Sequence, residues 1–192
     1  ELNTKEALDL NIKTYMMYAV SSWSPDKINR KDLNELFKLR DNLTYYSASL
    51  LGLTYKNIVD LDKGKFNREV DAAIDKKNPL IKENINTGEF ENLKIILSNL
   101  LDRIKIEQIN NTAYWKPESG FYWRWYNDRI ETTAMILRLV NSVNPEDEML
   151  SKVVKWLINN RKGNTWHSTK DTGLLLQVLL EGPTDEMFVI HH

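Results

Sequence analysis

The chain has 192 residues, 42% hydrophobic and 28% charged, with a formal net charge of -1, which suits one compact domain and is short for two. That balance argues against nucleic acid or an anionic membrane surface as a partner, since both need a basic surplus, and no apolar run reaches the roughly 18–20 residues of a membrane span. There is no cysteine, and two of the three histidines are the terminal His191 and His192; disulfides, thiolate nucleophiles and cysteine metal sites are excluded, and a His-rich zinc site is argued against.

Asn3-Thr4-Lys5-Glu6 reads as a capping box, with Asn3 as the cap and Glu6 three residues on, and predicts a first helix. Leu8, Ile12, Tyr15, Met16, Ala19, Val20 and Trp23 recur at helical spacing and are expected to be its buried face. Ser24-Pro25-Asp26 ends that helix. A short amphipathic piece follows through Leu33, Leu36 and Phe37. Asp41-Asn42 then offers a cap for a helix burying Leu43, Tyr46, Ala48, Leu50, Leu51 and Leu53.

Residues 54–88 show little period beyond a surface helix expected across Phe66–Lys77, and Asp62-Lys63-Gly64 and Asn78-Pro79 punctuate them. From Glu89 to Lys105 the period returns: Phe90, Leu93, Ile96, Leu97, Leu100, Leu101 and Ile104 form a wide apolar stripe. Pro117 and Gly120, flanked by aromatic residues, predict a small β-hairpin near residues 113–126. Three more helices are expected over 128–142, 146–160 and 168–180. Pro145 would take the first helical position of the middle one, and Gly163 would close it.

Few residues invite chemistry. His167, Ser168 and Asp171 could be read as a catalytic group, but a triad needs its members to converge from separate parts of the fold. Their closeness in sequence suits helix capping instead: Ser168 or Thr169 takes orphan N–H groups, and Asp171 complements the positive helix end. Glu131, before Thr132-Thr133, lacks a second acid or a metal and is expected to complement its helix start or pair with Arg124 or Arg129. Trp156 lies within an apolar helical period and is expected to pack. Tyr114, Trp115, Phe121, Tyr122, Trp123, Trp125 and Tyr126 form an aromatic cluster. Hairpin alternation would turn one of its faces onto the helices and leave the other as a candidate partner surface, for which Trp115, Tyr122, Trp123, Trp125 and Tyr126 are the candidates.

The last three helices carry a resemblance. Glu131-Thr132-Thr133-Ala134, then Val153-Val154-Lys155-Trp156-Leu157 with Arg161, then Ser168-Thr169-Lys170-Asp171-Thr172 resemble, in order, three blocks of the thioester domain of the alpha-2-macroglobulin and complement family. The likeness is sharp over residues 114–180, looser upstream, and without a counterpart for 54–88, which reads as an insertion. His167 replaces a family glycine and Lys170 the family glutamine. The Cys-Gly-Glu-Gln thioester and the catalytic histidine of some members find no matching position here.

The resemblance implies an all-α fold, a partial α/α toroid of antiparallel helical hairpins with the small β-hairpin, in which residues 1–182 are a fragment of the domain and 183–192 a tail. It implies a structural and interaction domain of an extracellular or periplasmic protease trap. The expected partners are target proteases and other domains of the parent chain. Catalytic, cofactor-binding and metal-binding residues are not expected. Two other readings stay open: a carbohydrate- or peptide-binding helical module using the aromatic cluster, and an α/α-toroid enzyme. The enzyme needs an acidic run or paired carboxylates, and no such run is present in the sequence.

Overall fold

The structure is a computed structural model and describes residues 4–75, 87–117, 129–163, 166 and 169–180. It is mostly helical, with one small antiparallel sheet, the all-α class with a hairpin that the periodicity predicts. The chain divides into two compact units, residues 1–43 with 50–98, and residues 44–49 with 99–192.

The first unit opens with α1 (Thr4–Trp23), whose Asn3 cap lies outside the described residues. A single 3-10 turn (Pro25–Lys27) leads to α2 (Arg30–Lys38). Asn29 caps α2, its side-chain oxygen accepting from the Lys31 N–H at 2.9 Å. A second 3-10 turn (Arg40–Asn42) precedes α3 (Tyr45–Asp75). The cap of α3 is Thr44 and not Asp41-Asn42: its Oγ1 accepts from the Ser47 N–H at 3.2 Å. The first turn of α3 belongs to the second unit, and the rest to the first.

The stretch from 54 that showed little period is the middle of this one long helix. It carries Tyr55, Ile58 and Val59 into the core, and the surface helix expected from Phe66 continues it as far as Asp75. The α4 helix (Thr87–Leu101) adds Leu93 and Ile96 to the same core.

The second unit holds the hairpin, β1 (Lys105–Glu107) paired antiparallel with β2 (Thr112–Tyr114) in the register Ile106 opposite Ala113. Its turn runs through 108–111, where Asn111 takes φ 49°, a left-handed conformation that asparagine tolerates. This hairpin spans residues 105–114; the turn and second strand of the hairpin expected near residues 113–126 fall largely on 118–128, which lie outside the described residues. Three helices follow: α5 (Arg129–Val143), α6 (Glu148–Asn159) and α7 (Thr169–Leu180). Asp147 caps α6, accepting from the Met149 N–H at 2.9 Å, so Pro145 stands in the connecting turn and not at the first helical position. Gly163 has φ 64°, a backbone state glycine adopts freely, four residues beyond the end of α6. The α5 helix packs against both α6 and α7, and α6 also packs on β2.

Candidate interaction surface

The first helix reverses the sequence expectation. Its core-facing side is Ala7, Leu10, Thr14 and Ser21, all buried. Two of these are polar and are accommodated by hydrogen bonds. The Thr14 hydroxyl donates to the Leu10 carbonyl at 2.9 Å. The Ser21 hydroxyl donates to the Tyr18 carbonyl at 2.8 Å and accepts from Asn57 Nδ2 on α3 at 3.0 Å. A buried hydroxyl that is fully paired removes most of the penalty of burying it.

The apolar stripe assigned to the core faces outward. Trp23 is 91% exposed, Met16 62%, Ile12 47%, Tyr15 46% and Val20 46%, with Ala19 exposed between them. At about 100° per residue these positions gather on the side of the helix opposite Leu10 and Ser21. Tryptophan, tyrosine and methionine are residue types enriched at protein interfaces. An apolar stripe of three helical turns facing solvent is the kind of patch that marks a docking surface.

Elsewhere in the first unit, a polar cluster ties α2, α3 and α4 together. Arg30 of α2 donates from Nη2 to both oxygens of Asp62 on α3 at 3.1 Å, and from Nη1 to Glu89 on α4 at 3.4 Å. Close by in the same unit, Tyr55 Oη lies 3.3 Å from Asn34 Oδ1 and accepts from Asn92 Nδ2 at 3.2 Å. Burial pushes the Tyr55 hydroxyl up to about 12, the Asn92 hydrogen bond working the other way.

The aromatic candidates divide differently. Trp115 is 1% exposed, and its Nε1 donates to the Leu100 carbonyl at 2.6 Å. Its backbone N–H donates to Thr133 Oγ1 at 3.2 Å. Trp115 is therefore a core residue and leaves the expected surface, because the helix-side carbonyl takes its one polar group inward. Tyr122, Trp123, Trp125 and Tyr126 lie outside the described residues. Tyr114 stacks on Trp156 with ring centroids 4.8 Å apart and planes at 15°. The Arg129 guanidinium lies 5.3 Å from the Tyr114 ring centre, a cation–π placement at the start of α5.

Of the helix-start residues, Glu131 is buried in the first turn of α5 and Asp171 in the first turn of α7. His167 and Ser168 fall outside the described residues, and α7 starts at Thr169. Two contributors here were not foreseen. The Trp166 backbone N–H donates to Thr172 Oγ1 at 3.1 Å, and Trp166 Nε1 donates to the Leu157 carbonyl at 2.8 Å. Thr172 was visible in the sequence as the last residue of the third motif block, but nothing local said that its hydroxyl reaches back to Trp166, three residues before the helix.

Among the described residues no three His, Asp or Glu side chains gather to hold a metal ion, and no helix is long and apolar enough to cross a membrane. Comparison with protein-family models, curated proteins and solved structures finds no match to this chain.

Proposed function

We propose that this chain is a non-catalytic interaction domain of a macroglobulin-like, protease-trapping protein acting outside the cytoplasm, with target proteases and neighbouring domains of the parent protein as its partners. The carrying observation is the ordered set of motif blocks at Glu131–Ala134, Val153–Arg161 and Ser168–Thr172. Of these, Glu131–Ala134 fall on α5, Val153–Leu157 on α6 and Thr169–Thr172 in the first turn of α7, and both α6 and α7 pack against α5. In this reading the helices are part of an α/α toroid, and the polar residues at their starts hold the fold. The absence of cysteine supports a chain that forms no thioester of its own. A sugar-binding platform draws no support from Trp115, Trp156 and Trp166, all buried.

Incubation with methylamine, and separately with a panel of proteases, tests the non-acylating part by intact mass spectrometry. The unmodified mass is expected, and a covalent adduct overturns it. The trapping part is tested on the parent protein. After cleavage it should shield the protease from protein substrates while leaving small peptide substrates accessible. A protease fully active on protein substrates in its presence refutes the reading.

A further inference from the structure

Trp115 and Trp166 make the same pair of hydrogen bonds at two places in the second unit. The Trp115 indole donates to the Leu100 carbonyl at 2.6 Å, in the last turn of α4, and its backbone N–H donates to Thr133 Oγ1 at 3.2 Å, near the start of α5. The Trp166 indole donates to the Leu157 carbonyl at 2.8 Å, in the last turn of α6, and its backbone N–H donates to Thr172 Oγ1 at 3.1 Å, near the start of α7. Each tryptophan joins one of the last carbonyls of the helix before it to a hydroxyl of the helix after it. Helix, tryptophan and helix form a module that the chain builds twice.

Aligned on the two threonines, the second helices of the modules match. Met135-Ile136-Leu137 corresponds to Leu174-Leu175-Leu176, and a small residue precedes each run, Ala134 in one and Gly173 in the other. One side is buried in both: Ile136 and Leu139 on α5, Leu175 and Val178 on α7. The other side differs. Leu137 is 4% exposed, whereas its counterpart Leu176 is 52% exposed, with Leu180 exposed one turn further on. Ala134 is fully buried, whereas Gly173 has open space where a Cβ would be. The α5 helix has both α6 and α7 packed on it, and α7 packs on α5.

An array of like helical modules buries its core by stacking, and a module at its end keeps a polar outer side for solubility. The α7 helix is not built as such an end. At about 100° per residue Gly173, Leu176 and Leu180 share one side, opposite Leu175 and Val178, and that side is apolar. We propose that it is the docking surface for a third module of the same build, seated on α7 as α6 and α7 are seated on α5. The repeat names the occupant: the interface on α5 is continued by one step, with a small residue, Ala134 or Gly173, leaving room for close approach of the covering helix. The inference rests on hydrogen bonds and burial and not on the protease-trapping reading. Its experiment contains no protease, so either can fail alone.

A fluorescently labelled peptide of residues 144–180, which spans α6, Trp166 and α7, is the probe, titrated with the whole chain. Saturable binding by fluorescence anisotropy is expected, together with slowed amide exchange over residues 173–180 of an isotope-labelled chain. Leu176→Asp and Leu180→Asp in the whole chain, both at exposed positions, should keep the circular dichroism spectrum and weaken binding at least tenfold. Met16→Asp, on the exposed stripe of α1, should leave binding unchanged. Absence of saturable binding overturns the proposal. So does binding that survives both Leu176→Asp and Leu180→Asp, which would mean that the peptide replaces the chain's own α6 and α7, or binding that Met16→Asp weakens equally.

Discussion

Replacing Arg30 with methionine removes the cation that joins α2 to α3 and α4. The side chain is 35% exposed, while its partners Asp62 and Glu89 are 19% and 6% exposed. A surface ion pair is worth about 0–1 kcal/mol, whereas removing one member of a buried pair costs about 3–5 kcal/mol. The Asp62 contact has solvent on one side and loses little. The Glu89 carboxylate, nearly enclosed, would be left without its guanidinium, so the expected loss is intermediate, about 2–3 kcal/mol.

Urea unfolding followed by far-ultraviolet circular dichroism measures this as a lower midpoint at constant slope, by roughly 1 M for a slope of about 2–3 kcal/mol per M. Amide exchange should locate the weakening in α2, α3 and α4. The physical content is the stranded charge, so Glu89→Gln in the Arg30→Met background should recover part of the loss. The reasoning fails if Arg30→Met costs less than about 0.5 kcal/mol, within the range of an ordinary surface change, or if Glu89→Gln only deepens the loss.

Four further outcomes follow from the same structure. Tyr55 should remain protonated beyond the ordinary tyrosine range, its hydroxyl titrating near 12. Its stabilisation is therefore complete below pH 10 and is lost as the pH rises from 10 towards 12, by about 2–3 kcal/mol at about 1.4 kcal/mol per pH unit; in Tyr55→Phe this part of the alkaline decline in stability should vanish. Trp115→Phe deletes the hydrogen bond to the Leu100 carbonyl and leaves a gap at a fully buried site, so a loss of about 2–3 kcal/mol in thermal or urea unfolding is expected. Thr44→Ala should cost about 1 kcal/mol through the lost cap of α3, and Thr44→Ser should restore it. Gly64 sits inside α3 with open space where a Cβ would be, so Gly64→Ala should raise stability by about 0.5–1 kcal/mol.

The helical period of this sequence was legible, and what covers each face was not. From α5 onward every helix lies within about two residues of its expected bounds, because sets such as Val153, Trp156 and Leu157 repeat without interruption, whereas α4 keeps its Leu93, Ile96 and Leu100 stripe but ends at Leu101, four residues before the expected Lys105. In α1 two stripes compete. Ile12, Met16 and Val20 are the more apolar, yet Leu10, Thr14 and Ser21 face the core, because hydroxyls bonded to nearby carbonyls and to Asn57 can be buried at little cost. A single helix reports that an apolar face exists; only the rest of the fold reports what touches it.

The same limit explains Trp115. Its neighbours suggested an exposed aromatic surface, but its indole N–H finds the Leu100 carbonyl, 15 residues away in sequence. In residues 54–75, Gly64 and the charged residues concealed a helix that tertiary packing of Tyr55, Ile58 and Val59 sustains. Helix starts were read through the wrong residues for a local reason: Asp41, Asn42 and Pro145 are good starters, but Thr44 and Asp147 stand nearer the first helical turn and their oxygens reach its N–H groups.

Hydroxyl-radical footprinting of the dilute protein tests most directly the claim that α1 turns its apolar stripe outward. Trp23 and Met16 should be among the fastest residues to be oxidised, with Trp115 protected. Protection of Trp23 and Met16 equal to that of Trp115 in the dilute sample would show the stripe buried within the monomer and contradict the account.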